Sequence, residues 1–180
     1  MRKFSHEELI ARQARKPREP LPFSVILNDI RSLYNVGSIF RTADGAGLEK
    51  IWICGITGFP PASQITKTAL GAEDAVPWEY RRDPCSLIRQ LKEDGAQIVL
   101  LEQAPHSIPY ETFEPRGPVC LVVGNEIFGV SDELVSLCDA AVEIEMAGTK
   151  NSLNVSVAFG VVAYHFRNTL RKAAVSSKGA

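Results

Sequence analysis

The sequence predicts an α/β fold, a mostly parallel sheet covered by helices on both faces. Three observations carry that prediction. Short β-branched runs alternate with helical stretches from residue 24 to residue 172. Several runs, such as VCLVV at 119–123, are apolar without alternation, the pattern of strands buried on both faces. A chain of 180 residues that is 45% hydrophobic is long enough for one covered sheet and too apolar to be disordered.

The elements follow in order. Residues 16–22, punctuated by proline, lead into a strand at 24–28. A helix is expected at 36–46, with Asn35 placed to cap its N-terminus. KIWICGI at 50–56 reads as the second strand, 58–75 as loop with a short helical piece, and 76–81 as the third strand. An amphipathic helix at 83–94 is stopped by Gly95, and 96–101 forms the fourth strand. After the strand at 119–123 comes a helix at 131–138, with Asp132 and Glu133 in its first turn, where they complement the helix dipole. The sixth strand is 141–146 and the last helix runs from 152 to 172. That helix contains LNVSVAFGVVAYHF, apolar nearly all round, so it should be buried on more than one side. A sheet covers one side, and a second subunit is the natural cover for the other. The expected organisation is a basic segment at 1–22, one domain at 23–172 and a short flexible tail at 173–180.

Twenty Lys and Arg against 21 Asp and Glu leave a net charge of -1, but the sum hides opposed regions. Residues 1–22 hold six basic and three acidic side chains (+3), 23–165 hold ten and eighteen (-8), and 166–180 hold four and none (+4). An acidic body with basic ends suggests a polyanionic partner; solvated, frayed tails are the alternative. No repeat shows at a period of 20–50 residues, no apolar run approaches the ~20 residues that cross a bilayer, and the start MRKFSHEEL is too charged for a secretory signal. A cytoplasmic protein without membrane contact is therefore expected. Cys54, Cys85, Cys120 and Cys138 are widely spaced and read as buried thiols, and His6, His106 and His165 lack zinc-ligand spacing, so no metal is expected.

Three segments follow strands and carry polar residues, the usual place for a site in a parallel sheet. In NDIRSLYNVGSIFRTA (28–43), Asn35 opens a helix and Arg41 lies about two turns inside it. Taken alone, Asn35 could be a cap and Arg41 a partner of Asp44. In VCLVVGNEIFG (119–129), an apolar strand runs into Gly124-Asn125-Glu126 and reaches Gly129. Neither a G-x-G-x-x-G fingerprint nor a phosphate-loop G-K-[ST] is present, which argues against a generic dinucleotide or nucleotide binder. In IEMAGTKNSLNVS (144–156), a polar loop leads to a helix start that Ser152 could cap.

Together, N-x-G-S-I-F-R-T-A, G-N-E-x-x-G and I-x-M-x-G-x-x-x-S-L-N-V-S-V-A resemble motifs 1, 2 and 3 of the SpoU (TrmH-like) branch of the SPOUT methyltransferases. The likeness spans roughly residues 23–170. It implies a C-terminal trefoil knot, a homodimer through the C-terminal helix, and methyl transfer from S-adenosylmethionine to a ribose 2′-hydroxyl of RNA, with tRNA ahead of rRNA. It also implies a cofactor pocket around Gly124, Ile144, Met146, Ser152 and Leu153, to which the strand-end stretch Leu101-Glu102-Gln103 is added, with Glu102 a candidate acceptor for the ribose hydroxyls. For catalysis it points to Asn35, Arg41, Glu126, Ser152 and Asn154. The resemblance offers Arg41 two roles, general base or clamp for phosphate and developing alkoxide, and a guanidinium that stays protonated favours the clamp. Glu126 would hold Arg41 or Asn35.

The chain departs from the family at Glu145, where a proline is common, and at Thr149-Lys150-Asn151. With 22 residues before the expected domain, RNA contacts are expected from the domain's own surface, the dimer and the basic residues Arg12, Arg15, Lys16, Arg18 and Lys150. Two other readings are a SPOUT base methyltransferase and a catalytically silent RNA-binding SPOUT protein. The ribose-type Asn35/Arg41 motif argues against the first, and the intact catalytic positions argue against the second.

Overall fold

The computed structural model describes residues 1–14 and 19–176. In chain order the elements are α1 (His6–Ala14), β1 (Leu21–Asn28), α2 (Leu33–Ala46), β2 (Leu48–Cys54), α3 (Ser63–Ala69), α4 (Ala72–Ala75) and β3 (Trp78–Arg81). They continue with α5 (Pro84–Glu93), β4 (Gln97–Leu101), β5 (Ile108–Pro109), β6 (Val119–Val123), α6 (Asp132–Leu137), β7 (Ala140–Glu143) and α7 (Val155–Ser176).

The strands form one sheet in the order β3-β2-β1-β6-β4-β7-β5, and every neighbouring pair is parallel. Apolar side chains leave the central strands on both faces, as the unalternating runs require. Phe23, Val25 and Leu27 of β1 enter one core with Ile39 and Phe40 of α2 and Phe159 and Phe166 of α7. Ile26, Cys120 and Val122 enter a second core with Leu87 and Ile88 of α5 and Leu134 of α6. Parallel pairing puts all the strand C-termini on one edge, so the loops after β1, β2, β4, β6 and β7 gather there. Between β1 and β6 the strand order reverses, and a crevice opens at such a point.

Several expectations are corrected. Residues 6–14 form a helix where only a basic segment was expected. A capping box starts it: Ser5 N–H donates to Glu8 (2.7 Å) while Glu8 N–H donates to Ser5 Oγ (3.2 Å). The Arg2 guanidinium, and then that Ser5 N–H, hold the Glu8 carboxyl down to about 2. The cap of α2 is Ser32, which accepts from Asn35 N–H at 3.3 Å, so Asn35 sits in the first turn and its side chain does not serve as the cap. Residues 58–75 hold two short helices, and β3 starts two residues later than expected, because Val76 still closes α4 through its N–H to Ala72 O. The two-residue β5 is too short for any periodicity to show.

The sixth expected strand ends at Glu143, so Ile144 and Met146 lie in a loop. Asn154, not Ser152, caps the last helix by accepting from Ser156 N–H at 2.9 Å, and α7 continues four residues past its expected end through helix-forming alanines to Ser176. Within the chain α7 is buried along one stripe, Phe159, Val162, Ala163, Phe166 and Leu170, while Val157 and Tyr164 face outward. Cys54, Cys85 and Cys120 are buried, and Cys138 is half-buried. Among the described residues no helix is long and apolar enough to cross a membrane.

Candidate active site

At the C-terminal edge of β4, β6 and β7 lies an open cleft of about 270 Å³. Its walls include Leu101, Glu102, Gly124, Ile144, Met146, Ser152 and Leu153, the whole set expected for the cofactor. Apolar contact comes from Leu101, Val123, Ile144 and Met146, and polar contact from loop backbone and from Gln103 and Asn151. Gln103 Nε2 donates to Asn151 O at 2.8 Å, which ties the loop after β4 to the loop after β7. Three carboxylates line the cleft, Glu102, Glu126 and Glu143, with no basic side chain among them. The field there favours a cation.

Two glycines shape the wall. A Cβ on Gly124 would meet Val130 Cγ1 at 2.6 Å and Gly129 O at 2.7 Å, so the turn after β6 closes only around glycine. Gly129 has φ +62° and sits against the Glu102 carboxylate. Between them the buried Asn125 builds the loop. Asn125 and Gly129 exchange backbone hydrogen bonds (3.0 Å each), Asn125 Oδ1 accepts from Ile127 N–H (2.9 Å) and Phe128 N–H (3.0 Å), and Asn125 Nδ2 donates to Asp29 O (2.8 Å). That last bond stitches the loop after β6 to the loop after β1 across the crevice.

Beside the cleft the three polar segments meet in one chain of hydrogen bonds. The Glu126 carboxylate accepts from the backbone N–H of Arg31 (3.0 Å) and Ser32 (3.2 Å) and from Asn35 Nδ2 (2.9 Å). Asn35 Oδ1 accepts from Asn154 Nδ2 (3.1 Å), and Asn154 Oδ1 accepts from Ser156 N–H (2.9 Å) and Ser156 Oγ (2.7 Å). Desolvation alone would raise the Glu126 pKa. The N–H donors of Arg31 and Ser32 and the Asn35 amide outweigh it and hold the carboxyl below its ordinary value. Glu126 is therefore an ionised clamp whose oxygens are already engaged. Of the two partners expected for it, Asn35 is the one it holds.

The other expected residues are placed less tightly. Ser152 is exposed on the cleft wall, its Oγ 3.5 Å from Asn151 Oδ1. Arg41 is exposed on α2, six residues beyond Asn35 and so about 9 Å along the helix axis, outside the hydrogen-bond chain. Among the described residues no ion pair with Asp44 or any other carboxylate engages it. Lys150 lies in the exposed loop after β7, beside a second hollow that shares Gln103, Ile144 and Met146 with the first. Arg12 is exposed on α1 with its guanidinium 5.0 Å from the Phe4 ring centre, while Arg15, Lys16 and Arg18 lie outside the described residues. Sequence reasoning missed Val123, Asn125, Ile127, Glu143, Asn151, Val155 and Ala158 as cleft residues. Asn125 had a visible signal, its place between Gly124 and Glu126; Ala158 had none.

Known proteins resemble this chain in sequence and in fold. The SpoU rRNA Methylase family matches residues 22–164. A protein of Staphylococcus haemolyticus assigned to the TrmH family of tRNA/rRNA methyltransferases is 32% identical over 152 residues, 84% of this chain and 61% of its own length. The 23S rRNA (guanosine-2′-O-)-methyltransferase RlmB of Shewanella oneidensis is 31% identical over 144 residues, 80% of this chain and 58% of that protein. The chain thus spans about three fifths of the length of the curated relatives it matches. Among solved structures, the A. aeolicus TrmH/SpoU tRNA modifying enzyme superposes with a TM-score of 0.80 at 28% identity, covering 89% of this chain and 81% of that one. An AdoMet-bound rRNA methyltransferase from Sinorhizobium meliloti gives a TM-score of 0.77 at 27% identity, covering 91% and 70%.

Proposed function

The chain belongs to the SpoU rRNA Methylase family, and on that premise we propose that it transfers a methyl group from S-adenosylmethionine to a ribose 2′-hydroxyl of RNA. The observation that carries the proposal is the Glu126–Asn35–Asn154 hydrogen-bond chain beside the Gly124 cleft, because it joins three separate motifs at one point. The cleft suits the cofactor on its own terms. A slot with apolar walls and backbone polar groups, closed by a glycine turn that tolerates no Cβ, fits adenine, and three carboxylates without a basic residue fit a sulfonium. Bound there, the cofactor supplies an electrophilic methyl carbon.

The protein's own residues orient the acceptor and manage charge. Glu126 fixes the Asn35 amide from one side and Asn154 from the other, so Asn35 presents a locked polar edge to the ribose. Ser152, exposed on the cleft wall, offers a hydroxyl to the same nucleotide. Arg41, with no carboxylate partner among the described residues, is available to grip the phosphate next to the acceptor and to stabilise the alkoxide as its proton leaves. Its distance along α2 from Asn35 means that the RNA backbone, or a second subunit, brings the two together. Arg41→Ala should abolish methyl transfer while leaving cofactor affinity unchanged in calorimetry; unchanged turnover would remove Arg41 from the chemistry.

The same reading includes a homodimer through α7, a knotted C-terminal region, and RNA contacts by Arg12, Arg15, Lys16, Arg18 and Lys150. Transfer RNA is the favoured substrate. The superposed tRNA modifying enzyme is covered over 81% of its chain, whereas 70% of the superposed Sinorhizobium meliloti rRNA methyltransferase is covered. Comparing the 2′-O-methylation map of cellular RNA with and without the protein tests the whole. Loss of one tRNA site supports it, loss of an rRNA site moves the substrate, and an unchanged map favours an RNA-binding role without catalysis.

A further inference from the structure

Among the described residues six aromatic side chains are exposed, and four of them, Phe128, Tyr34, Phe59 and Tyr80, lie along the C-terminal edge of the sheet. They are 82%, 50%, 45% and 38% exposed. Phe128 lies in the loop after β6, Tyr34 in the first turn of α2 after β1, Phe59 in the loop after β2, and Tyr80 is next to last in β3, so the segments that carry them follow the sheet order β6-β1-β2-β3. At about 4.8 Å between strands, the row extends roughly 15 Å. It passes directly by the candidate active site, since Tyr34 adjoins Asn35 and Phe128 stands two residues after Glu126.

The backbone at Phe128 and Tyr34 is fixed by hydrogen bonds, and the Phe59 and Tyr80 rings pack on each other, although the cores use none of the four. Asn125 Oδ1 fixes the Ile127 and Phe128 N–H groups. The Phe59 ring packs on Tyr80 (5.1 Å between centres) and Trp78 (5.8 Å), and the Tyr80 hydroxyl donates to Gly55 O (3.0 Å). The Tyr34 carbonyl accepts from the hydroxyls of Ser38 (2.9 Å) and Thr68 (3.0 Å). The charges on the edge are sorted. Its carboxylates turn onto N–H groups: Asp29 onto Ile56, Glu126 onto Arg31 and Ser32, and Asp83 onto Cys85. Arg31 and Arg82 stay exposed, with no ion pair among the described residues. The outward surface is thus flat rings interleaved with free guanidinium groups, which suits an unpaired polyanion carrying planar bases.

Resting on the RNA methyltransferase reading above, we propose that this edge is a stacking track for the unpaired nucleotides that flank the methylated one. It binds bases by their faces, irrespective of identity, and so selects a loop or single strand over a duplex, whose bases are stacked on one another. The test uses the full chain and two labelled probes, a short oligoadenylate and an oligomer of abasic ribose phosphates of equal length, followed by fluorescence anisotropy. The native protein should prefer the oligoadenylate. Phe128→Ala and Tyr34→Ala should each weaken its binding about five- to a hundredfold, leaving the abasic oligomer unaffected, while Phe128→Trp and Tyr34→Phe retain the preference. Equal binding of both probes by the native protein overturns the proposal, as does equal loss on both probes in the alanine variants. Sedimentation of the same variants is the control: conversion from dimer to monomer would make the row a contact between copies and overturn it too. Incorporation of labelled methyl groups into bulk RNA is measured separately. Its absence, with the base preference intact, counts against the catalytic reading and leaves the track standing.

Discussion

Asn35 is gripped from both ends of its amide, by Glu126 on the nitrogen side and Asn154 on the oxygen side. One orientation therefore satisfies both partners, and a group so fixed loses no freedom when substrate arrives. The clamp depends on Glu126 being ionised. Its pKa is lowered on folding, so the contribution to stability is fully present above the unfolded value near 4.5 and is lost as pH falls through the lower folded value. In thermal melts the native protein and Glu126→Gln should differ by a constant margin above about pH 5, and the margin should shrink below it. A margin that stays flat down to acid pH would show that the carboxylate is not held as an anion. The buried thiols make the opposite case: burial pushes Cys54 and Cys120 up to about 12, so they remain protonated packing groups.

Loops rather than helices or strands make the site, yet each is set by the element before it. The turn after β6 closes around Gly124 because Val130 and Gly129 leave no space for a side chain. Gly124→Val should displace that turn, weaken cofactor binding by tenfold or more in calorimetry, and cost about 1–3 kcal/mol of stability in denaturant unfolding. Normal cofactor affinity in this variant would show that the turn is not part of the pocket. Element types were legible because apolar runs and periodicity are local properties. Helix starts were misjudged where two side chains compete for one cap. At α2, Ser32 takes the cap and frees Asn35 for the clamp; at α7, Asn154 takes it and leaves Ser152 on the cleft wall. Helix α1 carried a Ser5/Glu8 capping box in plain view, but its nine residues lack an apolar face strong enough to stand out among basic neighbours.

On the scale of the whole molecule, two regions carry the proposed contacts with partners. Helix α7 presents Val157 and Tyr164 to solvent next to α2, where Gly45 lies against the Tyr164 hydroxyl, and this apolar strip is the proposed subunit contact. Tyr164→Asp should convert a dimer to a monomer in sedimentation; a native protein that is itself monomeric would refute that contact. The basic ends are the second region. Removing residues 1–18 should lower RNA affinity and flatten its salt dependence, because fewer counterions are released. Equal affinity after truncation would assign RNA binding to the sheet edge alone. The sequence by itself determined the fold class, most of the strands, and several of the residues that line the cleft, because each of these is written in short local patterns and in the motifs after strands. Only the tertiary structure decided that Glu126 holds Asn35 rather than Arg41, that Asn125 bridges to Asp29, and that the segments carrying four exposed aromatic residues lie side by side in sheet order. Those relations join residues tens of positions apart, and parallel strand order, which no local pattern encodes, is what brings them to the same edge.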